Sequence, residues 1–217
     1  MSSYKPKRHE WAIKVQEKCA MPIYRQIWTG CQIEEVDKIG MNGNDFAKRR
    51  DFSGLDKIIL LHGNEIHLAQ RFRGYEPIEK RYSKGYDFSL RYNTPGLIGT
   101  KEAEYFKLVE AIKTDVWFPN KYIWGVTKTD DPTSGFEILN IYNVRKMMTA
   151  IINKEVKPIG VYPNGDGSSG IYFKLNDLVP FIEWKLPEAQ QKIAVVNKNT
   201  PKHQTTFNSF FFSLLLK

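Results

Sequence analysis

The chain has 217 residues, 41% of them hydrophobic and 26% charged, which is enough to bury one sizeable core and too apolar for wholesale disorder. Its 32 lysines and arginines against 24 acids give a net charge of +8, and 13% of the residues are aromatic. That balance favours a polyanionic partner, nucleic acid first, over an acidic-tail protein or an enzyme of neutral metabolites.

Cys19 and Cys31 match neither a CxxC redox pair nor a zinc knuckle, so two free thiols in a reducing, cytoplasmic setting are expected. The basic start, Met1–Trp11, is not followed by a continuous apolar region, which argues against a secretory signal. Phe207–Lys217 is strongly apolar but shorter than the ~20 residues that span a bilayer. It is expected to be a last core element or a dimer contact, with no membrane partner.

From His9, the apolar residues Trp11, Val15 and Cys19 recur at helical spacing with Ala12 beside them, which predicts an amphipathic first helix. Pro22 either ends it or opens a second helical stretch through Ile27, and Thr29-Gly30 breaks the pattern in both cases. Ile33–Asp37 is a short acidic segment. Met41–Asp51 is a polar loop carrying Lys48-Arg49-Arg50.

Gly54–Arg73 reads as a β-hairpin. Asp56 opens the apolar run Lys57–Leu61, His62-Gly63-Asn64-Glu65 is a polar connection, and Ile66–Arg73 is the return strand. Alternation puts Ile66, Leu68, Gln70 and Phe72 on one face and His67, Ala69, Arg71 and Arg73 on the other.

After a charged connection, Gly74–Lys84, the alternating Tyr86–Tyr92 predicts a third strand, and Asn93–Gly96 a turn. Thr100 is expected to cap a helix whose apolar positions are Tyr105, Leu108, Val109 and Ile112, with Glu102 and Glu104 near its positive end. Lys121–Thr127 predicts a buried strand and Phe136–Ile141 another. Asn143 is then expected to cap a helix with Val144, Met147, Met148 and Ile151 on one face. Val161–Leu175 reads as two short strands around a Gly-rich loop that lacks the Lys-Ser/Thr of a phosphate cradle. Asn176–Trp184 predicts a short helix, Ile193–Val196 a strand, and Asn197–Thr206 a loose polar segment.

The order helix, acidic segment, strand with Asp, turn, strand with basic residues, strand, helix, strand resembles the core of the PD-(D/E)XK nuclease superfamily, including the archaeal Holliday-junction resolvases. The resemblance covers about Trp11–Thr127 and is also similar to viral members, which would work in the host cytoplasm. It implies an α/β fold: an αβββαβ restriction-endonuclease-like core with a mixed central sheet over residues 1–130, and a C-terminal α+β extension, 131–217, packed on the same domain.

In that superfamily a helix-region Glu, a strand Asp and an E-x-K or Q-x-K hold Mg²⁺, with Mn²⁺ as the substitute ion. Hard carboxylate oxygens suit Mg²⁺, and the metal generates hydroxide and neutralises the phosphorane. Carried onto this chain, Asp56 matches the strand aspartate, Gln70 offers an amide oxygen, and Arg71 takes the lysine role. The glutamate is Glu35, then Glu34, in preference to Glu10 or Glu17. Spacing at the second strand is degraded: Ala69 precedes Arg71 by two, while Gln70 is followed two on by Phe72. A β-bulge is the device that would bring Gln70 and Arg71 or Arg73 into one site. Lys48, Arg49, Arg50, Arg73, Lys80, Arg81 and Lys84 are the candidate phosphate contacts, and His67 is a candidate base or a packed histidine.

The resemblance therefore implies a Mg²⁺-dependent DNA endonuclease, resolvase-like and dimeric, because two cuts need two sites. The rival is a catalytically silent nuclease fold that binds DNA or assembles with partners. A third, weaker reading is an RNA-binding protein that uses its aromatics.

Overall fold

The structure, a computed structural model, describes residues 6–36, 56–74, 88–93, 103–115, 119–163 and 167–187. Helix α1 (Pro6–Val15) runs into one π-helical turn, Gln16–Ala20, and on into α2 (Met21–Ile27). Pro22 lies in the first turn of α2, where its missing N–H costs least, so it opens the second stretch. Val15, Cys19, Ala20 and Tyr24 form the buried stripe. Two long-range bonds hold this helix in place: Trp11 Nε1 donates to the Asp130 carbonyl at 2.8 Å and Cys19 Sγ to the Pro132 carbonyl at 3.2 Å.

The acidic segment is a strand, β1 (Gln32–Glu35). It pairs antiparallel with β2 (Lys57–Leu61), which pairs antiparallel with β3 (Asn64–Arg73). The turn between β2 and β3 is shorter than expected. His62 and Gly63 alone make it, at φ 49° and 79°, the two positive values of a primed two-residue hairpin turn. Beyond Leu68, β3 has no β2 partner and pairs parallel with β5 (Lys121–Thr127). Antiparallel β6 (Phe136–Asn143) and β9 (Ile182–Lys185) complete a six-stranded mixed sheet in the order β1-β2-β3-β5-β6-β9.

The predicted third strand forms as β4 (Phe88–Asn93) but belongs to a second sheet, between helix α3 (Glu104–Thr114) and β8 (Ser169–Phe173). Its order is β4-β8-β7, with β7 at Gly160–Pro163. The reason is burial. Phe88, Ser89 and Leu90 are all shielded, and Phe88 stacks edge-on against Tyr122 and Tyr142 of the large sheet. The antiparallel three-strand run of the central sheet is thus completed by β1.

Helix α4 (Val144–Ile152) starts as expected, with the Asn143 side chain accepting from the Lys146 N–H at 3.0 Å and with Val144, Met147, Met148 and Ile151 buried. Helix α3 begins at Glu104 after Ala103, while Thr100 lies outside the described residues. Asn176–Trp184 is not one helix. A single turn, α5 (Leu175–Leu178), and a 3₁₀ turn (Val179–Phe181) with Pro180 inside it lead directly into β9. The segments 193–196 and 207–217 also fall outside the described residues.

The large sheet has a core on each face. One holds Ile59, Leu68, Ile123 and Ile141 against α1, the π turn and α2. The other holds Ala69, Tyr122, Trp124 and Tyr142 against the small sheet, α3 and α4. The alternation predicted for β3 therefore holds. No helix among the described residues is long and apolar enough to cross a membrane.

Candidate functional site at the fork of the sheet

Asp56 immediately precedes β2, at the point where β3 runs past its partner. Its Oδ2 accepts from the Gln70 backbone N–H at 2.6 Å, and its own N–H donates to the Leu68 carbonyl at 2.8 Å. The carboxylate thus caps the first β3 amide left without a β2 carbonyl, which satisfies a strand donor at the fork.

On the helical face, the Gln70 side chain is held at both ends. Its Nε2 donates to Gln16 Oε1 at 2.5 Å, and its Oε1 accepts from the Tyr24 hydroxyl at 3.0 Å. The π turn supplies Gln16, and such turns redirect a side chain by inserting one residue into the helical repeat. Burial first, and then the Asp56 charge, push the Tyr24 phenol well above its ordinary pKa. Tyr24 therefore remains a donor.

On the opposite face, Arg71 Nη1 pairs with Glu104 Oε2 at 2.7 Å and also donates to the Ser89 carbonyl at 3.2 Å. Glu104 Oε2 also accepts from the Arg91 N–H at 2.8 Å, while Oε1 accepts from the Tyr122 hydroxyl at 2.6 Å. Burial alone lowers the Arg71 pKa, but Glu104 and Tyr122 outweigh it and leave the guanidinium above its ordinary value. The Tyr122 phenol is pushed well up by burial and then by Glu104, with Asp56 adding to the shift. Arg73, two residues along the same face, donates to the Ser89 hydroxyl, and its pKa is lowered by burial and by Arg71.

The structure therefore joins Asp56 to Gln70 through a backbone amide and separates the Gln70 and Arg71 side chains onto opposite faces. The β-bulge that would reunite them is not there: β3 keeps unbroken register with β2 and with β5 through Arg73. Glu35 lies opposite Lys57 in the β1-β2 ladder, and its Oε1 is 3.8 Å from the fully buried Lys57 ammonium. Glu34 is opposite Ile58. His67 shares the Arg71 face but bonds Glu65 at 2.7 Å, toward the hairpin turn. Lys48, Arg49, Arg50, Lys80, Arg81 and Lys84 lie outside the described residues.

Most of the candidate metal ligands already have partners among the described residues. Mg²⁺ needs near-octahedral oxygen ligands, usually one or two carboxylates with water and phosphate. Here the Gln70 oxygen is taken by Tyr24, both Glu104 oxygens hold donors, and Glu35 faces an ammonium. No group of three or more His, Cys, Asp or Glu is gathered among the described residues.

Sequence reasoning missed Gln16, Tyr24, Glu104 and Tyr122 as site residues. Glu104 carried a partial signal as a first-turn acid, but its partner is 33 positions away. No protein-family model matches the chain, and no curated protein or solved structure matches it. The fold is α/β with a mixed sheet.

Proposed function

We propose that the chain is a DNA-binding protein built on a nuclease-like sheet, without a working metal centre. One observation carries the reading: the Gln70 carboxamide, which the resemblance makes a metal ligand, is engaged at its oxygen by Tyr24 and at its nitrogen by Gln16. A neutral amide so held neither offers charge to a cation nor turns freely toward one. The net charge of +8 supports a phosphate-backbone partner, and the Arg71 and Arg73 side chains face one side of the fork.

The second reading is the Mg²⁺-dependent endonuclease. It is favoured by one specific arrangement: Glu104 accepts from the Tyr122 hydroxyl and pairs with Arg71, and the Asp56 charge also acts on that phenol.

The experiment is a salt series of duplex and branched DNA binding, with parallel incubation in Mg²⁺ and Mn²⁺. Binding that weakens linearly with log salt, with the DNA left intact, supports the first reading. Metal-dependent cleavage that is lost on Asp56→Ala establishes the second.

A further inference from the structure

We propose that the Arg71–Arg73 edge of β3, together with the Ser89 and Tyr172 hydroxyls, is a binding site for a phosphate group. The proposal deepens the DNA-binding reading by naming what the sheet grips, and rests on that reading only for the source of the phosphate.

The argument starts from unbalanced charge. Arg71 and Arg73 are two apart on one strand and face the same side, so their guanidiniums repel one another. Glu104 neutralises Arg71 alone. Among the described residues Arg73 has no carboxylate; its partners are the neutral hydroxyls of Ser89 and Tyr172. Its Nε–H is buried and without a hydrogen-bond partner.

A half-buried guanidinium beside a like charge, with an unused donor, is costly unless an anion completes it. The Nε–H with a neighbouring Nη–H forms one edge of the arginine fork, which matches two phosphate oxygens. The Ser89 hydroxyl, which accepts from Arg73, keeps its own O–H to donate to the same anion.

The first measurement uses the full chain and inorganic phosphate, with the melting temperature followed at constant ionic strength against chloride. A saturable rise is expected in the native protein, because a ligand that binds only the folded state stabilises it by mass action. Arg73→Ala should abolish the rise. Arg73→Lys, which keeps the charge and loses the fork, should weaken apparent affinity at least fivefold. Arg145→Ala, at an exposed pair on α4, should behave as the native chain does. No saturable rise in the native chain overturns the site, as does an undiminished response in Arg73→Lys, which decides the matter should Arg73→Ala fail to fold.

A duplex with a 5′-phosphate is then compared with its 5′-hydroxyl counterpart. Tighter binding of the former assigns the site to DNA ends, and equal binding with phosphate competition assigns it to internal phosphodiesters. A phosphate response with no DNA binding leaves the site standing and removes the DNA reading. DNA binding unaffected by Arg73→Lys, with no phosphate response, does the reverse.

Discussion

The Asp56 carboxylate accepts a 2.6 Å hydrogen bond from the Gln70 backbone N–H, and this one contact closes the fork between β2 and β3. Its removal by Asp56→Ala leaves a strand amide without its acceptor. The expected cost is about 1–3 kcal/mol in urea unfolding. Asp56→Asn keeps an oxygen in place and should cost less; equal losses in the two variants would show that charge, and not the bond, is what matters.

The proposal that the fold works without a metal centre has its own signature. Native protein should give no Mn²⁺ binding isotherm in calorimetry. The double variant Gln16→Glu/Gln70→Glu places two carboxylates on the helical face near Asp56 and should acquire one, because hard oxygen charge is what Mn²⁺ and Mg²⁺ select. Saturable binding by the native chain would reverse the assignment.

Glu35 faces the buried Lys57 ammonium across the β1-β2 ladder. Glu35→Ala takes away the carboxylate facing that ammonium and is expected to destabilise by about 3 kcal/mol. Adding Lys57→Met to the same chain should recover most of the loss, since a well-packed apolar side chain is an acceptable replacement for a buried ion pair. A double variant as unstable as the single one would contradict this pairing.

Gly125 lies in β5 where a methyl group has no room. A Cβ there would come within 2.8 Å of Phe136 Cε1 and 2.9 Å of Leu139 Cδ1. Gly125→Ala should destabilise by about 1–3 kcal/mol through overpacking. Phe136→Leu in the same background should relieve part of it, read as a higher melting temperature than Gly125→Ala alone.

The edge strand β9 is tied to the sheet by Glu183, which pairs with Lys121 and accepts from Asn143 Nδ2 at 2.7 Å. Burial raises its carboxyl pKa, but these partners outweigh it and leave the value below the ordinary 4.5. A depressed carboxyl stabilises the fold at pH above the unfolded value and loses that contribution as pH falls through the folded one. Glu183→Gln should therefore lower stability at pH 7 by under about 1 kcal/mol, as for a partly exposed pair. It should also flatten the acid limb below 4.5.

The local chemistry of the fold was legible. The β2-β3 hairpin, the two faces of β3, the Asn143 cap and the apolar face of α4 all follow from alternation, turn residues and helical period. What stayed hidden was partnership. Nothing in Tyr86–Tyr92 says which sheet receives it, because a strand's own pattern records how buried it is and not its neighbour. Gln16 was invisible for a different reason: a π turn breaks the period from which helix faces are read. Asp56 was found because an acid at the mouth of an apolar strand is conspicuous, whereas the Arg71–Glu104 pair closes over a span that no local pattern encodes.

The strands of the large sheet are laid down in the order in which they occur in the chain, β1-β2-β3-β5-β6-β9, with the small sheet inserted between them. A nascent chain emerging from the ribosome can build this sheet by adding each strand to the edge left by the last, without reopening pairs already made. Each stage presents a growing edge opposite the one at β1, and unpaired edges are where chains aggregate. The long wait falls between β6 and β9, when β6 is exposed until residues 182–185 are synthesised. Conditions that stall synthesis within that interval should be the ones that drive this protein into aggregates.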